Sequence, residues 1–301
     1  MTSTALPVPG SGSHHVALSG MAGIETRRLV RNPIFLVGVA LAFGVLALMV
    51  ATNDDPQYTD LLPTPLIAAF FVGLTSLVAL ARQTRSTEAA VEAVGTAPGT
   101  EAQRTLALAV ACLVPFGVGL VFVLVGVALA ASLGVAEQEW WFGTLPDWQV
   151  WSILLATGPV ACLGGALLGV LTGRWLRFPG APAVVVVAAV LVSFVGSVPI
   201  AYGDSSELRL WVPWPMWHSG TLEDGTQELM AGNPLAHLGY LLCLCAAAAL
   251  VAVWHDRTAR TPLLRGAIIG TVVVGLGCLV LAMTTGPSDN RVSEPIPFRV
   301  E

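Results

Sequence analysis

Residues Thr26–Thr52 read TRRLVRNPIFLVGVALAFGVLALMVAT. Three arginines precede twenty residues, Pro33–Thr52, that carry no charge. At ~1.5 Å of rise per residue, twenty helical residues reach about 30 Å, the depth of a bilayer's hydrocarbon core. Charges are costly at that depth, so the arginines are expected to hold one helix end in water. TRRLVR also loosely resembles a twin-arginine export signal. No small-residue cleavage site follows it and more apolar runs do, so it reads as a basic flank.

The same design recurs along the chain. Apolar runs lie at roughly Pro33–Thr52, Leu61–Ala81, Thr105–Ala136, Val150–Gly173, Phe178–Gly203, Leu229–Trp254 and Gly266–Gly286, and none contains Asp, Glu or Arg. Hydrophobic residues make up 55% of the 301 and charged residues only 11%, against roughly 25% in a soluble domain. The mean hydropathy is +0.76. The chain is expected to be an all-α polytopic membrane protein, a bundle of about seven transmembrane helices.

All basic residues are arginines, and eleven of the fourteen fall in alternate inter-run segments: Arg27, Arg28 and Arg31; Arg82, Arg85 and Arg104; Arg174 and Arg177; Arg257, Arg260 and Arg265. Five acids share those segments, whereas the opposite side has three arginines and fourteen acids. The positive-inside rule puts the arginine-rich segments in the cytoplasm, with the N-terminus in and the C-terminus out. Trp140, Trp141, Trp148, Trp151, Trp211, Trp214 and Trp217 all fall at the expected outer boundary, where indole rings settle. The expected organisation is a disordered cytoplasmic tail over 1–20, a transmembrane domain over 21–286 and an extracytoplasmic tail over 287–301.

Within the domain, 21–32 suggests a short interfacial helix with Arg27, Arg28 and Arg31 on one side and Ala22, Leu29 and Val30 on the other. Thr87–Val94 is helix-forming, with Glu88 and Glu92 on one face. Ala97-Pro98-Gly99 breaks it, and Thr100 with Gln103 has the spacing of a capping box. Gly165, Gly169 and Gly173 form a four-residue stripe that permits close helix approach, and Gly266 with Gly270 forms a weaker one. The outer segment LWVPWPMWHSG (Leu210–Gly220) is too proline-rich for a regular span and is expected to lie in the interface.

No catalytic motif is found. Without lysine there is neither a GxxxxGK phosphate loop nor a Schiff-base lysine; GxSxG and HExxH are also missing. The five cysteines all fall in apolar runs, so no extracellular disulfide is expected, and Cys243-x-Cys245 reads as helix packing rather than a metal site. No catalytic residue, metal or cofactor is expected, and nucleic acid is not an expected partner.

The order of these parts resembles the membrane subunit of an ABC-2-type transporter. GIETRRLVRNPIFL (Gly23–Leu36) is similar to that family's elbow helix, placed here at 21–32. TRSTEAAVEAVGTAPGTEAQRTLAL (Thr84–Leu108) resembles its cytoplasmic coupling segment, within 83–104. Asp204–Gly232 sits where the family has re-entrant outer helices. The resemblance covers about 21–254. It implies a six-helix core plus one added span, a permease of the cytoplasmic membrane, and a separate ABC ATPase as partner. A second permease chain, identical or different, would complete it alongside membrane lipid. By the resemblance Glu88 and Glu92 would face the ATPase, Pro98 would make the turn and Arg104 would anchor the third span. The substrate and its direction of movement are not legible. A non-transporting polytopic anchor or sensor is the alternative, followed by an ion-coupled secondary carrier, whose usual midplane carboxylates are missing here.

Overall fold

The computed structural model describes residues 11–52, 62–94, 100–133, 146–176, 178–197, 210–213, 217–221, 227–229 and 232–285. Helix α1, Ser11–Val30, begins ten residues before the expected elbow and includes half of the expected disordered tail. No proline interrupts the chain between Ser11 and Asn32, and Ala22, Glu25 and Leu29 bury one stripe of the helix. Val30, expected on that apolar side, is exposed. The Asn32 side chain then accepts from the Ile34 amide, and Pro33 opens α2, Pro33–Thr52, where a missing amide hydrogen costs nothing.

The second span is interrupted. Helix α3, Pro65–Ala68, passes through a π segment, Ala69–Gly73, into α4, Leu74–Val94. Helix α5, Glu101–Ala111, runs on into α6, Leu113–Ser132. The capping box at the start of α5 is present in both directions, Thr100 accepting from the Gln103 amide and Gln103 from the Thr100 amide. Helix α7, Asp147–Leu155, passes through a second π segment, Ala156–Val160, into α8, Ala161–Trp175. Helix α9 spans Ala181–Ser197, α10 Pro234–Trp254 and α11 Pro262–Thr284. A short antiparallel ribbon, β1 His218–Thr221 with β2 Gln227–Leu229, is the only strand pairing among the described residues.

Among the described residues six helical stretches are long and apolar enough to cross a bilayer: Pro33–Thr52, Pro65–Ala89, Glu101–Ser132, Asp147–Trp175, Pro234–Trp254 and Pro262–Thr284. The remaining apolar run, expected as a seventh span, yields only the 17 residues of α9. Its C-terminal part, 198–203, lies outside the described residues, so six spans of full length, and not clearly seven, stand among the described residues.

The stripe on α8 packs against α4. A Cβ at Gly165 would stand 2.5 Å from the Gly73 carbonyl oxygen. One at Gly169 would meet the Leu77 backbone, and one at Gly173 would lie 2.6 Å from the Thr84 Cβ. Gly266 and Gly270 differ: nothing lies within 4 Å of a Cβ at either, so the second expected stripe packs on nothing among the described residues. In Asp147–Trp175 78% of the most apolar window is buried, against 11% in Pro262–Thr284. The glycine-striped helix is therefore central, and α11 is peripheral, packed chiefly on α10.

The bundle has two distinct ends. At one, Leu62, Val123, Val150, Ile153, Leu210, Trp217 and Ala282 form a small core. There the Asn233 amide donates to the Ala282 carbonyl and the Asn233 side chain caps α10. Trp217, expected at the interface, is buried here with its ring 5.7 Å from His237, whereas Trp148, Trp151 and Trp211 are exposed as expected. Trp140, Trp141 and Trp214 lie outside the described residues. At the opposite end α1 meets the end of α4 and the start of α5, beside the ends of α8 and α10. Helix α1 and the C-terminal end of α11 thus lie at opposite ends of the bundle.

Candidate functional site

That second end carries a polar cluster built from four helices and the segment after α10. Helix α1 docks through Glu25, which is buried and accepts from Gln83 Nε2 of α4 at 2.6 Å and from Arg28 at 3.2 Å. Gln83 also donates to the Glu25 backbone carbonyl at 2.9 Å. Arg28 reaches across to Ser86 at 2.8 Å and to Thr87 at 3.0 Å. Gln83, Ser86 and Thr87 of α4 are thus all engaged with α1. The arginine flank that the sequence suggests as a water anchor is therefore also a docking surface.

The second half of the cluster centres on Arg174, whose side chain has no solvent exposure. Its Nη1 donates to Glu88 Oε1 at 2.6 Å and to Glu101 Oε1 at 3.4 Å. The same Glu101 oxygen is 2.6 Å from His255 Nδ1. Four residues from α4, α5, α8 and the segment after α10 are thereby joined. The His255 ring also meets Trp175 edge-on at 5.3 Å, and the Trp175 indole donates to the Val251 carbonyl. Arg174 lies in the last turn of a helix whose glycines hold it against α4, and its side chain reaches Glu88 of α4 and Glu101 of α5.

Asp256 completes the cluster. It accepts from the Ala102 amide at 2.9 Å, capping α5 from a position 154 residues away, and from the backbone and hydroxyl of Thr258. Burial alone would push its carboxyl up. The bonds from Thr258 and Ala102 and the charge of Arg104 outweigh this and hold it below the ordinary aspartate value of 3.8. Because the folded pKa is depressed, the stabilisation is complete above 3.8 and is lost as pH falls through the lower folded value. Asp256→Ala is expected to lower stability by about 1 kcal/mol at pH 7, the usual worth of a helix cap. The difference from the unsubstituted protein should shrink as pH drops below 3.8. Unfolding in detergent across a pH series measures both.

The residues expected to contact an ATPase are distributed unevenly. Glu88 is not a free surface acid: its side chain is 32% exposed and bonded to Arg174. Arg104 lies in the first turns of α5, close enough to Asp256 to lower its pKa. Glu92 is in α4, but its side chain lies outside the described residues, as does Pro98 entirely. The sequence alone does not single out Arg174, Glu101, His255 or Asp256 as a site. It does hold a signal: an arginine directly follows the last stripe glycine, and a glycine-packed face has no room for an idle cation. Among the described residues no group of His, Cys, Asp and Glu could hold a metal ion.

No family model matches this chain, and no similar protein was found among curated proteins or solved structures.

Proposed function

We propose that this polytopic helical membrane protein is the permease subunit of an ABC-type transporter, worked from the cytoplasm by a separate ATPase. The observation that carries the reading is the Glu88–Arg174–Glu101–His255 cluster. It ties the projecting end of α4 and the start of α5 to the ends of α8 and α10. A force applied to the segment between α4 and α5 would therefore reach four membrane helices through short charged contacts. Helix α1, lying across α4 and α5, adds the elbow that the sequence resemblance implies. On this reading the arginine-rich end is cytoplasmic, the apolar run that contains α9 supplies a seventh crossing, and a second permease chain completes the transporter.

The segment 92–99 is the proposed contact, since Glu88 is occupied by Arg174. Glu92→Arg combined with replacement of 95–99 by a glycine–serine linker is expected to reduce recovery of a co-expressed partner ATPase at least fivefold. Thermal stability should be unchanged, because the cluster is left intact. Undiminished ATPase recovery would remove this segment from the coupling role. Failure of any soluble ATPase to co-purify with the unsubstituted chain would favour the anchor reading.

A further inference from the structure

Helices α8, α9 and α10 enclose a cleft of about 530 Å³ whose walls are almost wholly apolar. Leu168 and Leu171 of α8, Val185 and Ala189 of α9, and Ala248 and Val251 of α10 line its inner part. Its depth follows from the helices that wall it. It runs from Val160, at the end of the second π segment, to Leu171 of α8 and along α10 from Leu241 to Val251, which at ~1.5 Å per residue is about 16 Å. That is about half of a ~30 Å hydrocarbon core, the depth of one leaflet. Its inner limit is one helical turn from Trp175 and Trp254, and at its far end Pro213, from the segment after α9, contributes to the wall.

The inner mouth has the chemistry of a headgroup site. Trp175 continues the lining row Gly164–Leu168–Leu171 at the next i+4 position and is 45% exposed. Trp254 follows Val251 at i+3, and the Arg260 guanidinium lies 5.7 Å from its ring centroid. Arg260 Nε donates to the Trp254 carbonyl, and its two terminal nitrogens have no bond among the described residues. Arg257 is exposed one turn after Trp254. Asp256, the nearest acid in sequence, is turned inward onto Thr258 and Ala102. An apolar slot one leaflet deep, with two indoles and two arginines at its water end, matches an anionic phospholipid.

We infer that the α8–α9–α10 cleft is a binding site for an anionic phospholipid of the inner leaflet, one acyl chain filling the slot and the phosphate meeting Arg260. This rests on the membrane-spanning character of the chain and on the cytoplasmic placing of its arginine-rich end, and not on transport itself. Its occupancy would brace Trp175 and the end of α10, both of which contact His255 or its helix.

Native mass spectrometry of the full chain, delipidated in detergent and titrated with phosphatidylglycerol or phosphatidylcholine, tests this. Phosphatidylglycerol is expected to bind with one-to-one saturation and at least fivefold preference. Ala248→Trp should fill the slot and abolish that binding, and Leu168→Phe should weaken it. Arg260→Ala should erase the preference while leaving weak binding of both lipids. Val273→Trp, on the exposed face of α11, should change nothing. Equal binding of the two lipids, or full retention in Ala248→Trp, would overturn the proposal. If Ala248→Trp misfolds, a fluorophore on Ala189→Cys, in a chain whose own cysteines are replaced by alanine, decides the matter. Phosphatidylglycerol with brominated acyl chains should quench it more strongly than the brominated choline lipid, and equal quenching would sink the idea. A dimer in the unsubstituted chain that both slot-filling variants break, with no lipid bound, would assign the cleft to a second copy instead.

Discussion

Arg174→Ala is expected to destabilise the protein by about 3 kcal/mol. Removing one member of a buried ion pair leaves the other without compensation, which costs roughly 3–5 kcal/mol. Here the loss falls at the low end, because Glu88 and Glu101 are 32% and 29% exposed and water can reach them once the guanidinium is gone. A cavity the size of the arginine side chain adds to the cost. Glu88→Gln is the matched control. It keeps an oxygen that accepts from Nη1, and Glu101 still offers the buried guanidinium a charge, so the loss should be smaller, about 1–2 kcal/mol. Unfolding of both variants in the same detergent measures the difference. If Arg174→Ala and Glu88→Gln lose the same small amount, the guanidinium is not the centre of the cluster.

The second large effect has a built-in reversal of sign. Gly169→Ala places a methyl group against the Leu77 backbone, 2.8 Å from its Cα, and backbone cannot rotate away. Overpacking of this kind costs about 1–3 kcal/mol, and Gly169→Leu is expected to prevent recovery of folded protein altogether. Gly117, Gly270 and Gly277 have nothing within 4 Å of an added Cβ. There the alanine variants gain helix propensity, worth up to ~1 kcal/mol, with no clash to set against it. Melting temperatures should therefore fall for Gly169→Ala and hold or rise for the other three. Equal behaviour at Gly169 and Gly270 would mean that α8 and α4 are not in backbone contact. Gly173 adjoins Arg174, so glycine and arginine substitutions combined should be non-additive.

The helices are legible in the sequence because a bilayer imposes a length and a composition that few other environments demand. The apolar run Pro33–Thr52 coincides with α2 to the residue, and Pro33 and Thr100 mark helix starts by local chemistry alone. The two π segments are not legible, since Ala69–Gly73 and Ala156–Val160 contain nothing that distinguishes them from ordinary apolar helix beyond Pro159. Glycine spacing locates the central stripe but also suggests a second one that has no neighbour. Gly266 and Gly270 share the period of Gly165 and Gly169, and spacing says nothing about what stands opposite. The polar cluster is half visible. Glu88 and Arg104 read as surface groups along the chain, but contacts across 73 to 154 residues organise the cluster they belong to. Pairing at that range depends on helix packing, which periodicity along one segment does not encode.

The span between Glu101 and His255 has a consequence in time. At roughly 5–20 residues per second, a ribosome needs about 8–30 s to make the 154 residues that separate them. When that interval begins α4 has been synthesised, while the groups that close over it and over α5, Arg174, His255 and Asp256, are still to come. The start of α5 therefore carries its own capping box during synthesis and receives its second cap from Asp256 only after α10 is finished. Closure of the cluster is one of the last events of assembly, and it requires every helix through α10 to have been inserted in the right direction. A chain in which one earlier helix was skipped or inverted would deliver His255 and Asp256 to the wrong side of the membrane. Glu101 and the Ala102 amide would stay exposed there, leaving a nascent surface that cellular quality control could distinguish from the finished protein.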